Sequence, residues 1–290
     1  MSTQKDVGRK VSEAASSSSF VPLHAGVTAL TGVRVFDVGQ GDCIGLLDQD
    51  RDVCCYVDYG GALDHPDKGN PSNTPRRLPT VDANGNDIPI ILTHWDKDHF
   101  YSAYKGNPQA QRCEWIAPRQ WAAPFSVRFA AKLANAQCWP ESARAKAYRF
   151  TAGTQVIEIR KCLPFRPSYR KQDRNTSGLA IAVIDESKGA ESAVIMLLPG
   201  DCHFDGIPNL QTAPLRAIVA YHHGSHVDWT VSTAPAISTL ATRINMVYSY
   251  SASNTYGHPD RTNYQPTWDA SSDATPDMRA RSDEYTDLIW

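Results

Sequence analysis

No stretch of this 290-residue chain approaches the roughly 20 consecutive apolar residues that a membrane-spanning helix needs. A spanning segment is therefore not expected. Charge of one sign is also missing: 29 Lys and Arg against 31 Asp and Glu leave a formal charge of −2. That balance excludes a generally basic nucleic-acid coat and restricts any polyanion contact to a local patch. The seven cysteines, at 43, 54, 55, 113, 138, 162 and 202, are odd in number and contain no CxxC pair. They read as reduced thiols, which points to the cytoplasm. Residues 1–20 carry Lys5, Arg9 and Lys10 followed by a serine run, without the apolar core of a secretory signal. They read as a flexible tail. Inspection finds no internal repeat.

What is present is a globular composition, 41% hydrophobic and 21% charged, long enough for one catalytic-sized domain. Residues 1–28 and the acidic, Ser/Asp/Thr-rich segment 269–290 are expected to be tails around a domain at 29–268. Val33–Val38 and Cys43–Leu47 are apolar, β-branched runs joined by Gly39-Gln40-Gly41-Asp42, and Val53–Val57 follows, so an antiparallel meander is predicted. The Gly-rich turn lacks the Lys-Ser/Thr of a phosphate-binding loop. After an irregular Pro/Gly/Asn-rich stretch, Ile90–Thr93 predicts a short strand ending at His94. Ser126–Ala136 has helical spacing, and Leu179–Ile184, Ala193–Leu198, Leu215–Ala220 and Ile244–Tyr250 predict a second run of strands. Nine basic residues lie from Arg144 to Arg174 against Glu158 and Asp173 alone, which reads as either a solvated surface or a phosphate patch containing Arg170, Lys171 and Arg174.

His94-Trp95-Asp96-Lys97-Asp98-His99 sets four potential metal ligands within six residues directly after a strand. Helix capping is the competing role for Asp96 or Asp98. Histidines 94, 99, 203, 222, 223, 226 and 258 fall in short polar segments near strand ends. Two successive apolar runs end in Gly200-Asp201 and in Tyr221-His222-His223-Gly224-Ser225, which delivers a carboxylate and imidazoles to neighbouring strand ends. Adjacent residues leaving a strand point in different directions, so His222 is the first choice as a ligand and His223 the alternative.

Taken in order, the segments Phe36–Asp42, Val57–Gly61, His94-x-Asp96-x-Asp98-His99, Asn175-Thr176-Ser177, Gly200-Asp201, His222–Ser225 and Tyr256-Gly257-His258-Pro259 resemble the metallo-β-lactamase fold. More narrowly they resemble the hydrolase domain of bacterial competence proteins of the ComEC type. The resemblance spans about residues 32–260. It implies an α+β, four-layer αββα sandwich with a metal site along one edge, and ligand roles for His94, Asp96, Asp98, His99, Asp201 and His222. Asp96 stands where the wider superfamily has a second histidine, and Asn175 and Ser177 occupy the stretch of its third-motif histidine. The first metal position, His94 with Asp96 and a bridging Asp201, becomes oxygen-rich, while Asp98, His99, Asp201 and His222 form a second with more nitrogen. One or two ions of Zn²⁺ or Mn²⁺, with Mg²⁺ as a further choice, suit these donors. Two ions would sit roughly 3.5–4 Å apart and activate a water for attack on a phosphodiester.

Asp98 and His258 are the candidate catalytic residues, Asp98 through the ion that holds the hydrolytic water, and His258 as a donor to the phosphoryl oxygen or leaving group. Asp37 and Asp58 are expected to form turns and orient the ligand loop, with Ser225 and Ser177 as polar wall. The implied activity is a stand-alone, metal-dependent phosphodiesterase, foremost a nuclease acting on DNA or RNA, with an activating protein partner as an option. The alternatives are hydrolysis of a small phosphocholine-like or nucleotide phosphodiester in a closed aromatic pocket using Trp95, Tyr221 or Trp229, and a catalytically idle binding module.

Overall fold

The computed structural model describes residues 23–61, 78–139, 147–163, 174–187, 194–208, 214–225, 235–238, 245–250, 256–260 and 285–290, together with the backbone of 5–6 and 272–274. Arg170, Lys171, His226 and Trp229 lie outside them. In chain order the first half contains β1 (Lys5–Asp6), β2 (Gly32–Phe36), β3 (Cys43–Leu47), β4 (Val53–Tyr59), β5 (Ile90–Ile91), β6 (Glu114–Pro118), β7 (Trp121–Ala122), helix α1 (Pro124–Ala130) and β8 (Asn135–Trp139). The second half adds β9 (Ala147–Ala152), β10 (Gln155–Lys161), β11 (Leu179–Asp185), β12 (Val194–Leu198), β13 (Ala217–Val219), β14 (Asn245–Tyr248), β15 (Ser272–Ala274) and β16 (Tyr285–Ile289).

Two seven-stranded sheets result, ordered β16-β2-β3-β4-β5-β6-β8 and β15-β14-β13-β12-β11-β10-β9. The meander β2-β3-β4 is antiparallel as expected, and the strands from β4 through β5 and β6 to β8 run parallel. In the second sheet β9 to β12 pair antiparallel and β12 to β15 parallel. Side-chain alternation explains the stacking. Along β11, Leu179, Ile181 and Val183 enter one buried cluster with Val33, Val35, Ile44, Cys55, Val57 and Ile91 of the first sheet, which fills the space between the sheets. Their neighbours Ala180, Ala182 and Ile184 enter a second cluster with Phe204, Ile207 and Tyr221 on the outer face. On the far side of the first sheet, Tyr56, Ile90 and Trp115 pack against Phe129 of α1 and against Phe100. Three buried seams separate four layers, so the architecture is the α+β sandwich anticipated from the sequence. Its outer layers are built, among the described residues, mostly of short turns around one α-helix.

Three segments differ from the sequence reading. The expected helix at Ser126–Ala136 begins at Pro124 and ends at Ala130, and Asn135–Trp139 is a strand parallel to β6. Ala136 and Cys138 face the outer cluster while Trp139 faces the inner one, so the period-two pattern of this edge strand overrides an alanine-rich helical spacing. The basic stretch contains the hairpin β9-β10. Arg149 pairs with Glu158 and Glu186, and Arg160 donates to Glu158 and to the Pro208 carbonyl, so these two cations are spent on the sheet edge. Within 269–290, set apart as a tail in the sequence, β16 pairs antiparallel with β2, Leu288 is buried in the inner cluster, and Asp287 forms a bidentate pair with Arg34. All seven cysteines are buried free thiols.

Phe129 stacks on Phe100 with centroids 4.4 Å apart and receives the edge of Trp115. Phe129→Ala should cost about 3–5 kcal/mol in chemical denaturation. Lys161 donates from its ammonium to the carbonyls of Ser177 and Arg119, and burial lowers its pKa to about 8, against upward pulls from nearby thiols. Between pH 8 and the ordinary lysine range near 10.5 the unfolded chain then holds the proton that the folded chain has released. The contribution of Lys161 alone should rise with pH across that window, opposing the buried thiols of Cys54, Cys55 and Cys113, whose raised pKa values make stability fall there, so Lys161→Met should shift the slope of stability against pH downward relative to the wild type in urea titrations at pH 8, 9 and 10.

Candidate metal centre

The ends of three strands meet here. β5 leads to His94, Asp96, Asp98 and His99, the last two in a single 3₁₀ turn. β12 leads through Pro199 and Gly200 to Asp201, and β13 leads through Ala220 to His222 and His223. The ligand loop rests on the two glycine-containing turns that the sequence separates by some twenty residues. Gly61 N donates to the Asp98 carbonyl at 3.0 Å and Gly60 N to the Asp42 carbonyl at 2.8 Å. A Cβ at Gly41 or Gly60 would collide with the Asp98 carbonyl oxygen, and Gly41 also has a φ of +140°. The Gly39–Asp42 turn is therefore a seat for the ligand loop rather than a phosphate cradle.

Asp201 is the shared element. His94 Nε2 lies 3.2 Å and His222 Nε2 3.5 Å from its Oδ2, while His99 Nε2 lies 3.2 Å and His223 Nε2 3.7 Å from its Oδ1. Asp96 Oδ2 lies 3.6 Å from His94 Nε2, and Asp98 Oδ2 lies 3.2 Å from His223 Nε2. Two donor groups follow, one of His94, Asp96, His222 and Asp201 Oδ2, the other of Asp98, His99, His223 and Asp201 Oδ1. The sequence reading has His222 accompany Asp98 and His99, whereas by distance His222 and His94 share one oxygen of Asp201 and His99 and His223 the other. Both imidazoles reach Asp201 because His222 and His223 take positive φ angles of 47° and 56°. Such backbone is costly for residues with a Cβ and is found where the surroundings enforce it. Asn175 Nδ2 stands 3.4 Å from His222 Nε2, on the same side as His94.

The buried atoms His94 Nε2, His99 Nε2, His223 Nε2 and Asp201 Oδ1 make no well-directed hydrogen bond, their nearest polar neighbours being one another and the Asp98 and Asp201 carboxylates at 3.2–3.7 Å. Burying four such atoms without satisfaction is expensive unless a cation completes them. Ligand atoms of His94, His99 and Asp201, and of Asp98, His99 and His223, lie within 4.8 Å of one another. The charges agree. Burial pushes the Asp98 and Asp201 carboxyls up, but the surrounding imidazoles outweigh it and hold both below the usual range. Burial and His99 push His94 down, yet Asp201 raises it to about 9, and His99 and His223 are likewise raised. Those protons supply the positive charge that a divalent ion would replace. Nitrogen and oxygen donors without sulfur suit Zn²⁺ or Mn²⁺, and the donor set does not choose between them.

The second ring nitrogens are also provided for. His99 Nδ1 lies 2.7 Å from Asp58 Oδ2, and Asp58 is in turn held by the Thr93 amide and hydroxyl, each at 2.7 Å. His223 Nδ1 faces the Ser249 carbonyl at 2.9 Å and Asp42 Oδ1 at 3.5 Å. Asp42 is buried and had been read only as part of a turn. Its signal, a carboxylate closing a Gly-x-Gly turn, is indistinguishable in sequence from ordinary turn chemistry. Asp37 fits the turn-forming expectation, accepting from the Gly39 amide at 3.3 Å. Ser177 Oγ meets Gln120 Nε2 at 2.9 Å in the prop beneath Arg174 and Asn175, and the Ser225 amide closes the histidine turn on the His222 carbonyl.

At the solvent side, Arg174 Nη1 contacts Asp96 Oδ1 at 2.9 Å. His258 stands with its ring centroid 5.6 Å from His222 and 6.2 Å from His223, and its Nδ1 lies 3.4 Å from Gln40 Nε2. Burial, then His223 and His222, lower its pKa to about 4. It is neutral at pH 7, which suits a hydrogen-bond donor better than a resting proton source. Trp95 and Tyr221 are fully buried and cannot wall a substrate pocket.

Zn²⁺ or Mn²⁺ added at 100 times its Kd should raise folding stability by about 2.7 kcal/mol, an effect that chelation reverses. Asp42→Asn should weaken metal affinity about 10–100-fold in chelator competition while the variant stays folded, because the negative charge 3.5 Å behind the His223 ring is removed.

No protein-family description matches the chain, and none of the curated proteins does. Among solved structures, similarity extends to CmlA, a diiron β-hydroxylase from Streptomyces venezuelae, at 14% identity and a TM-score of 0.34, over 66% of this chain and 34% of CmlA. The CmlA E377D mutant matches at 14% identity and 0.36, over 65% and 34%. The chain thus spans about a third of CmlA's length. The "Putative metal-dependent hydrolase from Parabacteroides distasonis" matches at 13% identity and 0.39, over 85% of this chain and 97% of that one. At these identities and scores none of the three bears on substrate or reaction.

Proposed function

We propose that the protein is a metal-dependent phosphodiesterase, in its narrowest form a nuclease that hydrolyses DNA or RNA. The observation that carries this reading is the convergence of His94, His99, His222 and His223 on the two oxygens of Asp201, with orphaned ring nitrogens pointing inward. When bound, one or two divalent ions would supply an activated water and neutralise charge on a phosphoryl oxygen. The chain's own residues do the rest. Asp98, His99 and His223 would hold one ion, and His94, Asp96 and His222 the other. Arg174 offers a guanidinium at the open side, suited to a phosphate oxygen. His258, neutral and beside His222, would donate a hydrogen bond there. The narrower likeness to the ComEC-type domain, carried by the full ordered set of segments from Phe36–Asp42 to Tyr256–Pro259 with Asn175 and Ser177 among them, belongs to this proposal, as do a cytoplasmic location and an activating partner.

A small phosphodiester held in a closed aromatic pocket is less well supported, because Trp95 and Tyr221 belong to the core. The test is to purify the chain, measure its metal by elemental analysis, and offer plasmid and single-stranded DNA and RNA with Mn²⁺, Zn²⁺ or Mg²⁺. Metal-dependent cleavage is expected in the wild type and should be abolished in Asp98→Ala and His99→Ala, both of which should remain folded. Full activity in both variants would remove this centre from the mechanism. Bound metal with no cleavage of any nucleic acid would overturn the nuclease reading.

A further inference from the structure

The open side of the metal centre has unlike ends. At one lies Arg174, paired with Asp96. From there the rim passes over His222, about a third exposed, to His258 and then to Tyr256, 53% exposed with its ring centroid 5.8 Å from that of His258. The other large aromatic side chains in this neighbourhood, Trp95, Tyr221 and Tyr248, are fully buried. Among the described residues, Tyr256 is thus the exposed aromatic residue in contact with the site.

A single exposed aromatic is ordinary on a protein surface. This one is tied to the centre. The Asp260 amide donates to the Gly224 carbonyl at 2.6 Å, which fastens the 256–260 loop to the histidine turn. Gly224 has a φ of +78°, and a Cβ there would strike Pro259 at 2.7 Å and Tyr248 at 2.6 Å, so the two segments are in close packing. Gln40 Nε2 approaches His258 Nδ1 from the seat of the ligand loop. The ring of Tyr256 reaches the centre through His258, whose own ring lies 5.6 Å from that of His222.

We infer that Tyr256 is a stacking platform for a nucleobase, placed so that a nucleotide whose phosphate lies between Arg174 and the His/Asp cluster lays its base on the tyrosine ring. This rests on the phosphodiesterase reading and names its substrate class as nucleotidyl phosphodiesters. Base-aromatic stacking is worth about 1–3 kcal/mol per base and tolerates any base, so no fixed sequence preference is expected from it.

The experiment compares thymidine 5′-(p-nitrophenyl) phosphate with methyl p-nitrophenyl phosphate, which share a leaving group and differ in the nucleoside. In the metal-loaded wild type kcat/KM should favour the nucleoside ester. Tyr256→Ala should lower that preference about tenfold, mainly through KM, and Tyr256→Phe and Tyr256→Trp should retain it. An unchanged preference in Tyr256→Ala would overturn the inference. Cleavage of neither ester by the wild type would instead count against the phosphodiesterase reading. Equilibrium dialysis of thymidine 5′-monophosphate against the metal-loaded proteins then decides the platform separately: a Kd about tenfold weaker in Tyr256→Ala than in the wild type and Tyr256→Phe supports it, and equal Kd values in all three overturn it.

Discussion

A single buried carboxylate, Asp201, organises the centre. Its two oxygens face two pairs of imidazoles delivered by the ends of β5 and β13, at 3.2–3.7 Å. Since β5 lies in one sheet and β13 in the other, the site exists only when the sheets are packed against each other. The inner apolar seam, with Val57 and Ile91 on one side and Ile181 and Leu198 on the other, thereby sets the separation across which the donors meet. Folding energy and site geometry are coupled through that seam. The imidazoles and carboxylates add an electrostatic demand that protons satisfy in part and a divalent ion would satisfy better.

Behind the inward-facing atoms stands a layer of fixed partners. Asp58 is held by Thr93 and bonds His99, while the Ser249 carbonyl meets His223 Nδ1 and the Asp42 carboxylate stands 3.5 Å from it. The hydroxyl of the same Ser249 donates to the Gly41 carbonyl, and Gly60 and Gly61 seat the ligand loop. The two Gly-containing motifs near the start of the chain are therefore supports of the centre, and they bring Asp42 beside His99 and His223. Because each partner is a backbone group or a buried side chain, the ring orientations are set before any substrate arrives.

Much of this was legible in the residues themselves. Apolar, β-branched runs identify the meander and the strands at Leu179, Ala193 and Leu215, and the crowding of His94, Asp96, Asp98 and His99 after a short strand marks a candidate donor loop, since few other roles call for four such side chains within six positions. The helix at Ser126 was overextended because its alanines fit either period, and only pairing with β6 makes Asn135–Trp139 a strand. The hairpin at Ala147–Lys161 is masked in the sequence by its charge, which reads as a solvated surface or a phosphate patch; in the structure Arg149 and Arg160 of that run pair with Glu158 and Glu186.

Local chemistry and periodicity thus determined which segments are strands, which residue types could hold a cation, and that Asp201 and a histidine pair end successive strands. Only the tertiary structure decided which histidine serves which side. Strand alternation argues that His222 and His223 diverge, whereas their positive φ angles turn both rings onto Asp201. That outcome depends on contacts among Gly224, Tyr248, Pro259 and the facing sheet, residues far apart in sequence. A backbone conformation enforced by distant packing leaves no mark in the local pattern, because the energy that selects it is spread over the whole interface between the sheets.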